Sequence, residues 1–413
     1  MGARIHIVIA GHLGMSPRGQ REAIALRAAG HAVSVTGVSF DHDRALIDQQ
    51  LMRRNRIRFA PALEMTGRDT SSRVRRLLAR ANGRLARGRF RRFGTFSPAL
   101  LGYGGEQLLD ACLKKDADLT IVHSEVGLWI AHWLMREGRR VGVDFEDWFS
   151  QDLPPESRRE RPVLDLAPLE NELLHGARYR VASSRAMADA LSRHYAVAPP
   201  AVVTNALSGE DEEPAREASE FRGHGQPLAL HWFSQTIGPA RGLELLFEAL
   251  PLVRHPVRIA LRGECGPESR SWLERTIPGS HRGAVEVFPP VAPWELPARV
   301  AEHHVGLALE TNAIRSRDLC LSNKFFHYLH AGLAVIATDT QGQREGLAPC
   351  PEAGTILREN SAVALAEAID GYAGCPRRWQ SAREAARDAA RTVWNGANEQ
   401  AAIVAEAERA LSD

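Results

Sequence analysis

The stretch SNKFFHYLHAGLAVIATD, residues 322–339, reads as a helix that hands over at once to a strand. Ser322 or Asn323 can cap the free amides of the first turn, and Gly332 supplies the left-handed residue that ends the helix. Leu333 to Ala337 is then a short apolar run that enters a sheet. A helix N-terminus carrying Lys324, close to the ends of parallel strands, is suited to hold a phosphate.

The same strand-and-helix rhythm extends outward in both directions. In the first half, strands are expected at Ile5–Ala10, His31–Thr36, Leu119–His123, Val141–Phe145, Tyr179–Ala182 and Ala201–Thr204, with helices such as Pro17–Ala29, Val126–Arg136 and Arg185–His194 between them. Alternation of this kind predicts a parallel sheet covered by helices on both faces. Residues 207–227 break it with Glu210-Asp211-Glu212-Glu213-Pro214, Gly223 and Gly225, and read as a linker. The alternation restarts with strands Leu228–Phe233, Val257–Leu261, Val285–Phe288 and Val305–Leu309, and helices Arg241–Leu250 and Asn323–His330. The expected class is α/β, with two Rossmann-like doubly wound domains over residues 1–206 and 228–392. An alanine-rich helix within 393–413 is expected to pack back on the first.

Composition narrows the function classes. The 413 residues are 44% hydrophobic and 25% charged, as in an ordinary globular protein with two cores. The apolar runs are too short to cross a bilayer, and the chain enters its first strand without the features of a signal peptide. Five dispersed cysteines with no CxxC point to reduced thiols in the cytoplasm and away from structural zinc. Cys320, His327 and His330 match no trusted metal spacing, so no metal site is expected. The net charge of +2 hides an asymmetry: residues 1–205 hold 31 basic and 22 acidic side chains, whereas residues 206–413 hold 21 and 28. Ten arginines, against Asp69 alone, fall between Arg68 and Arg92. There Val74, Leu77, Leu78, Ala81 and Leu85 recur at helical spacing. A cationic amphipathic helix over Arg73–Arg92 suits an anionic membrane surface, with the phosphate groups of an acceptor, or a solvated cap over the first domain, as the alternatives. Nucleic acid is not expected, because no aromatic residues interleave with the arginines before Phe90.

Taken in order, several motifs resemble those of the GT-B glycosyltransferases, in particular family four with its glycosyltransferase group-one C-terminal domain. They are Ser16-Pro17-Arg18 with Glu22-Ala23, the strand Val143-Asp144-Phe145-Glu146-Asp147, Gly238 with Arg241-Gly242, and the Asn-Lys, helix, Gly, strand, Thr-Asp run of 322–339. The resemblance implies two Rossmann-like domains facing a cleft, with a nucleotide sugar held mainly by the C-terminal domain. It implies a small-molecule, glycan or lipid-linked acceptor held mainly by the N-terminal one. It also implies metal-independent transfer from a UDP- or GDP-sugar as substrate, with no further cofactor and a retaining outcome. The setting is the cytoplasm, including the periphery of the inner membrane face. A nucleotide-sugar epimerase, or an inactive nucleotide-sugar-binding protein, is the alternative on this fold.

Charge develops on the leaving diphosphate during such a transfer, so fixed cations and amides aimed at it supply catalysis. Arg241 and Lys324, each at the start of a helix, are the candidate cations. By the resemblance, Gly238, Gly263, Glu264, Ser322 and Asn323 would surround the nucleotide. His327 stands where many members have the glutamate that binds ribose, and an imidazole can also bond a hydroxyl. Leu319 replaces a second glutamate of that pattern. His123 and the pair Glu146 and Asp147 follow the ends of their strands, where ligands bind in open α/β sheets. The loop GHLGMSPRG, Gly11 to Gly19, is not GxGxxG, and no acidic residue caps the second strand, which is expected to end at Thr36-Gly37; both argue against a nicotinamide dehydrogenase.

Overall fold

The computed structural model describes residues 2–153, 158, 161–207, 221–223 and 225–412. Most of the expected linker (208–220 and 224) lies outside the described residues. The chain forms two compact units. One holds Met1–Val203, Ile314–Ser316 and Glu399–Asp413, and the other Thr204–Ala313 and Arg317–Asn398.

The first unit is a seven-stranded sheet built from β1 (Arg4–Val8), β2 (Ala32–Ser39), β3 (Phe59–Glu64), β4 (Leu119–His123), β5 (Val141–Phe145), β6 (Tyr179–Ala182) and β7 (Ala201–Val202). Its order is β3-β2-β1-β4-β5-β6-β7, and every pairing is parallel. The second unit pairs β8 (Leu228–Thr236), β9 (Val257–Glu264), β10 (Val285–Phe288), β11 (Val305–Ala308), β12 (Ala334–Ala337) and β13 (Gly354–Ile356) in the order β10-β9-β8-β11-β12-β13, again all parallel. Both orders reverse direction beside the first strand of the sheet, between β1 and β4 and between β8 and β11. These are the topological switch points at which open α/β sheets leave a crevice for ligands. Near-continuous apolar strands follow from burial on both faces: Ile121, Val122 and Val143 in one sheet and Leu230, Leu307 and Val335 in the other are fully buried.

The α/β expectation of two doubly wound sheets holds, with local corrections. Edge strands β3 and β13 were not expected. Pro61 within β3 weakens its strand signal and is tolerated because the strand lies at the edge. The three residues of β13 give too short a pattern to read. The helix expected at Arg241–Leu250 begins only at Leu243, because Ala240 (φ 59°) and Gly242 (φ 81°) take left-handed conformations. Ser322 occupies the N-cap of the helix Asn323–Ala331, but its hydroxyl makes no capping bond. The last helix runs over Gly396–Ser412. Within the first unit it buries Ile403, Ala407 and Ala410, accepts the Arg180 amide on Glu406 (3.1 Å), and donates from Arg409 to the Arg178 carbonyl (2.6 Å).

Candidate functional site

In the second unit, the residues expected at the nucleotide gather at the C-terminal ends of β8, β9, β11 and β12. Gly242 sits against the end of β11 so closely that a Cβ there would lie 2.6 Å from the Leu309 carbonyl oxygen. Only glycine serves at this position, since its φ is also positive. This contact fixes Arg241, whose Nη1 donates to the Ser234 hydroxyl at 3.0 Å. Gly263 lets β9 approach the Ser234 carbonyl, where a Cβ would come within 2.5 Å. Gly238 has room around it, and Glu264 is exposed with its carbonyl accepting the Ile237 amide at 2.8 Å.

Lys324 reaches the same strand end. Its Nζ donates to Glu310 Oε1 at 2.6 Å, with both side chains about seven-eighths buried, and lies 5.7 Å from the centre of the Trp232 ring. Thr338 clasps Glu310 by accepting its amide and donating to its carbonyl, each at 2.7 Å. A lysine in the first turn opposes the helix macrodipole, and the sequence alone pointed to a ligand anion as the compensation. In the structure Glu310 supplies it. Arg241 and Lys324 therefore neighbour the touching pair Gly242 and Leu309 at the switch point of this sheet. Beside Lys324, Ser322 Oγ and Asn323 Oδ1 are buried with no hydrogen-bond partner among the described residues. Buried polar atoms are seldom left so, and a ligand hydroxyl or phosphate would satisfy them. His327 is largely buried, edge-on to Phe233 at 5.3 Å.

The first unit has its own cluster at its switch point. Arg18, in the helix Pro17–Ala28, forks onto Asp144 at 2.6 and 2.8 Å and donates to the Val203 carbonyl at 2.8 Å. His123 at the end of β4 has Nε2 2.8 Å from Glu22 and Nδ1 3.6 Å from Asp144. The Tyr179 hydroxyl donates to Glu22 at 2.6 Å. The structure buries His123, with Nε2 on Glu22 and with Nδ1 lacking a hydrogen-bond partner among the described residues. Burial alone would lower its pKa, but the Glu22 and Asp144 carboxylates raise it to about 9, so the ring is an imidazolium at neutral pH. Burial favours protonation of Glu22, yet His123, Tyr179 and Arg18 hold it below the usual carboxylate range. Glu22, His123 and Asp144 each offer a ligand atom within 4.8 Å of the others. Arg18 and Tyr179 already occupy an oxygen of each carboxylate, and the trio with Arg18 forms a buried charge network.

Glu146 and Asp147 follow β5. Burial pushes Glu146 up to about 7, against the opposing pull of His123. Asp147 accepts from the Ser316 hydroxyl at 3.4 Å. Sequence reasoning passed over Glu310, Tyr179 and the roles of Glu22 and Asp144. Glu310 was detectable as the acidic residue closing an apolar strand. The Glu22–Tyr179 contact joins residues 157 apart and carried no local signal.

Residues 230–373 match the family model described as glycosyl transferases group 1. No curated protein matches the chain significantly by sequence. Among solved structures, HepE of Anabaena in complex with UDP and glucose is similar over 99% of both chains at 13% identity, with a TM-score of 0.69. Sucrose-phosphate synthase of Thermosynechococcus elongatus is similar over 97% of this chain and 96% of its own at 14% identity, TM-score 0.67. WaaG, described as a glycosyltransferase involved in lipopolysaccharide biosynthesis, is similar over 96% and 98% at 16% identity, TM-score 0.62. At these identities the structural likeness concerns the fold, which is the GT-B fold that the sequence motifs resembled.

Proposed function

We propose that this GT-B glycosyltransferase, with its group 1 match over residues 230–373, moves a hexosyl unit from a UDP-sugar to an acceptor held by the first unit. The observation that carries the donor reading is that Arg241, bonded to Ser234 in β8, and Lys324, bonded to Glu310 just after β11, flank the close Gly242–Leu309 approach, with the unpartnered Ser322 and Asn323 oxygens next to Lys324 in the chain. Arg241 and Lys324 would face the two phosphates, with Glu310 holding the lysine in place until the donor arrives. Ser322, Asn323 and His327 would contact the nucleoside, while Gly238, Gly263 and Glu264 shape the loops around it. The uracil preference is taken from the UDP complex of HepE, the neighbour similar over nearly the whole chain.

Negative charge that builds on the leaving phosphate is then met by two fixed cations, so the reading is of metal-independent transfer. On the acceptor side, Glu146 and Asp147 would orient the attacking hydroxyl, and His123, at the end of the neighbouring strand β4, would line the same site. The retaining route follows from the resemblance, with the leaving phosphate taking the acceptor proton. Five free cysteines fit a reducing compartment, and we place the enzyme in the cytoplasm.

Turnover and donor binding by Arg241→Ala and Lys324→Ala test the assignment. Each should weaken UDP-sugar binding and lower kcat/KM by about tenfold or more. Unchanged values in both variants would sink the proposed diphosphate site. In the same assay with UDP-sugars alone, an isomerised sugar in place of a transferred one would point to the epimerase reading.

A further inference from the structure

The arginine-rich helix, Thr70–Phe93, packs in an inverted manner. It is capped at its start by Asp69, which accepts the Ser72 amide, and ends at Gly94. The face it turns to the first unit is a seam of mostly small residues, with Ser72, Gly83 and Ala86 buried and Ala79 half-buried, joined by half-buried Phe90 and by Arg76, which donates to the Met65 carbonyl at 2.9 Å. At Gly83 the helix runs against the Pro98–Leu100 turn, where a Cβ would lie 4.0 Å from the Ala99 carbonyl oxygen. The stripe Val74, Leu77, Leu78 and Leu85, which a globular helix would turn inward, faces out: Leu77 is 71% and Leu78 62% exposed.

Turning the helix by about 100° per residue places the small seam and the leucine stripe on opposite sides. The arginines fall mostly on the two flanks: Arg73, Arg80, Arg84 and Arg87 on one, Arg75 and Arg89 on the other. All of these are exposed, and no acidic side chain occurs in the helix. An apolar stripe between two cationic flanks, braced from behind by a folded unit, matches a lipid surface: leucines enter the acyl boundary while guanidinium groups meet phosphates. No helix among the described residues is long and apolar enough to cross a membrane, so the contact is one of lying on the bilayer.

A cavity of about 330 Å3 opens beside this face. Arg75 and Leu78 of the helix line it together with Leu63 at the end of β3, Pro98 and Tyr103. Leu78 is thus part of the exposed stripe and of the cavity wall. We propose that the helix Thr70–Phe93 seats the first unit on an anionic lipid bilayer, with this cavity opening to the lipid for an amphiphilic acceptor. The surface follows from the helix alone. Only the acceptor clause rests on the transferase reading.

Flotation of the full chain with vesicles of phosphatidylcholine, with or without phosphatidylglycerol, tests the surface. The chain should float with the anionic vesicles at low salt and lose most of that binding as salt is raised. Leu77→Glu with Leu85→Glu, both exposed and outside the cavity, should cut the bound fraction about tenfold. UDP release from the donor in the absence of lipid should be unaltered by that pair, which separates this outcome from any failure of the transferase reading. A full chain that stays with neither vesicle, or a double variant that floats as well as the unaltered chain, overturns the proposal. So does capture by an acidic polypeptide with no response to anionic lipid.

Discussion

Glu146 is a side chain whose chemistry depends on where the chain places it. Burial holds its carboxyl at about 7, so it ionises within the physiological range instead of well below it. Only the ionised form accepts a hydrogen bond from an acceptor hydroxyl on both oxygens, so activity carried by it must rise with pH. The prediction is that kcat/KM falls as pH drops below about 7, and that Glu146→Gln removes this limb. The variant should also lower the plateau about a hundredfold. A pH profile that keeps its limb in the variant would assign it to another group. At this scale the sequence was partly legible. Lys324 and Arg241 were visible as cations placed against the macrodipole, but the carboxylate beside Lys324 was not. Glu310 lies fourteen residues earlier, just past the end of β11, and only the return of the chain to the start of the helix Asn323–Ala331 makes the pair.

Among the elements, β11 and the helix Asn323–Ala331 form the part of the second unit that carries the proposed donor site. They fit because Gly306 of β11 leaves space for the Tyr328 ring: a Cβ on Gly306 would lie 2.1 Å from that ring. The Tyr328 hydroxyl then donates to the His231 carbonyl at 3.0 Å, tying the helix to β8 as well. Gly306→Ala must push the helix away or rotate a fully buried aromatic, at a cost of about 1–3 kcal/mol. Its midpoint in denaturant should fall, and UDP binding should weaken because Lys324 moves with the helix. An unchanged midpoint would show that the strand and ring have slack. The helix itself was readable from its cap, its glycine stop and the strand after it. The pairing of small residue with ring was not, because a lone glycine within an apolar strand has several physical meanings.

For the molecule as a whole, the last helix belongs with the beginning of the chain. Residues from Glu399 onward group with the first unit, where Ile403, Ala407 and Ala410 are almost wholly buried. Removing 399–413 should uncover that apolar surface and destabilise the first unit by a few kcal/mol, seen as a lower Tm and added binding of a hydrophobic dye. UDP binding by the second unit, measured by calorimetry, should persist. Loss of UDP binding with an unchanged Tm would contradict the grouping.

The sequence by itself determined the fold class and the position of the central strands. Apolar runs buried on both faces and capped helices are properties of short windows, and such windows carry their physics with them. It also determined the cationic helix and singled out Arg241 and Lys324 as basic residues at helix starts. Only the tertiary structure decided which carboxylates hold Lys324 and His123, and that the leucines of the arginine-rich helix turn outward. Those outcomes depend on contacts between residues far apart in the chain. A helical period shows that a face is apolar, whereas the small seam of Ala79, Gly83 and Ala86 against the Pro98–Leu100 turn decides which face the protein keeps for itself.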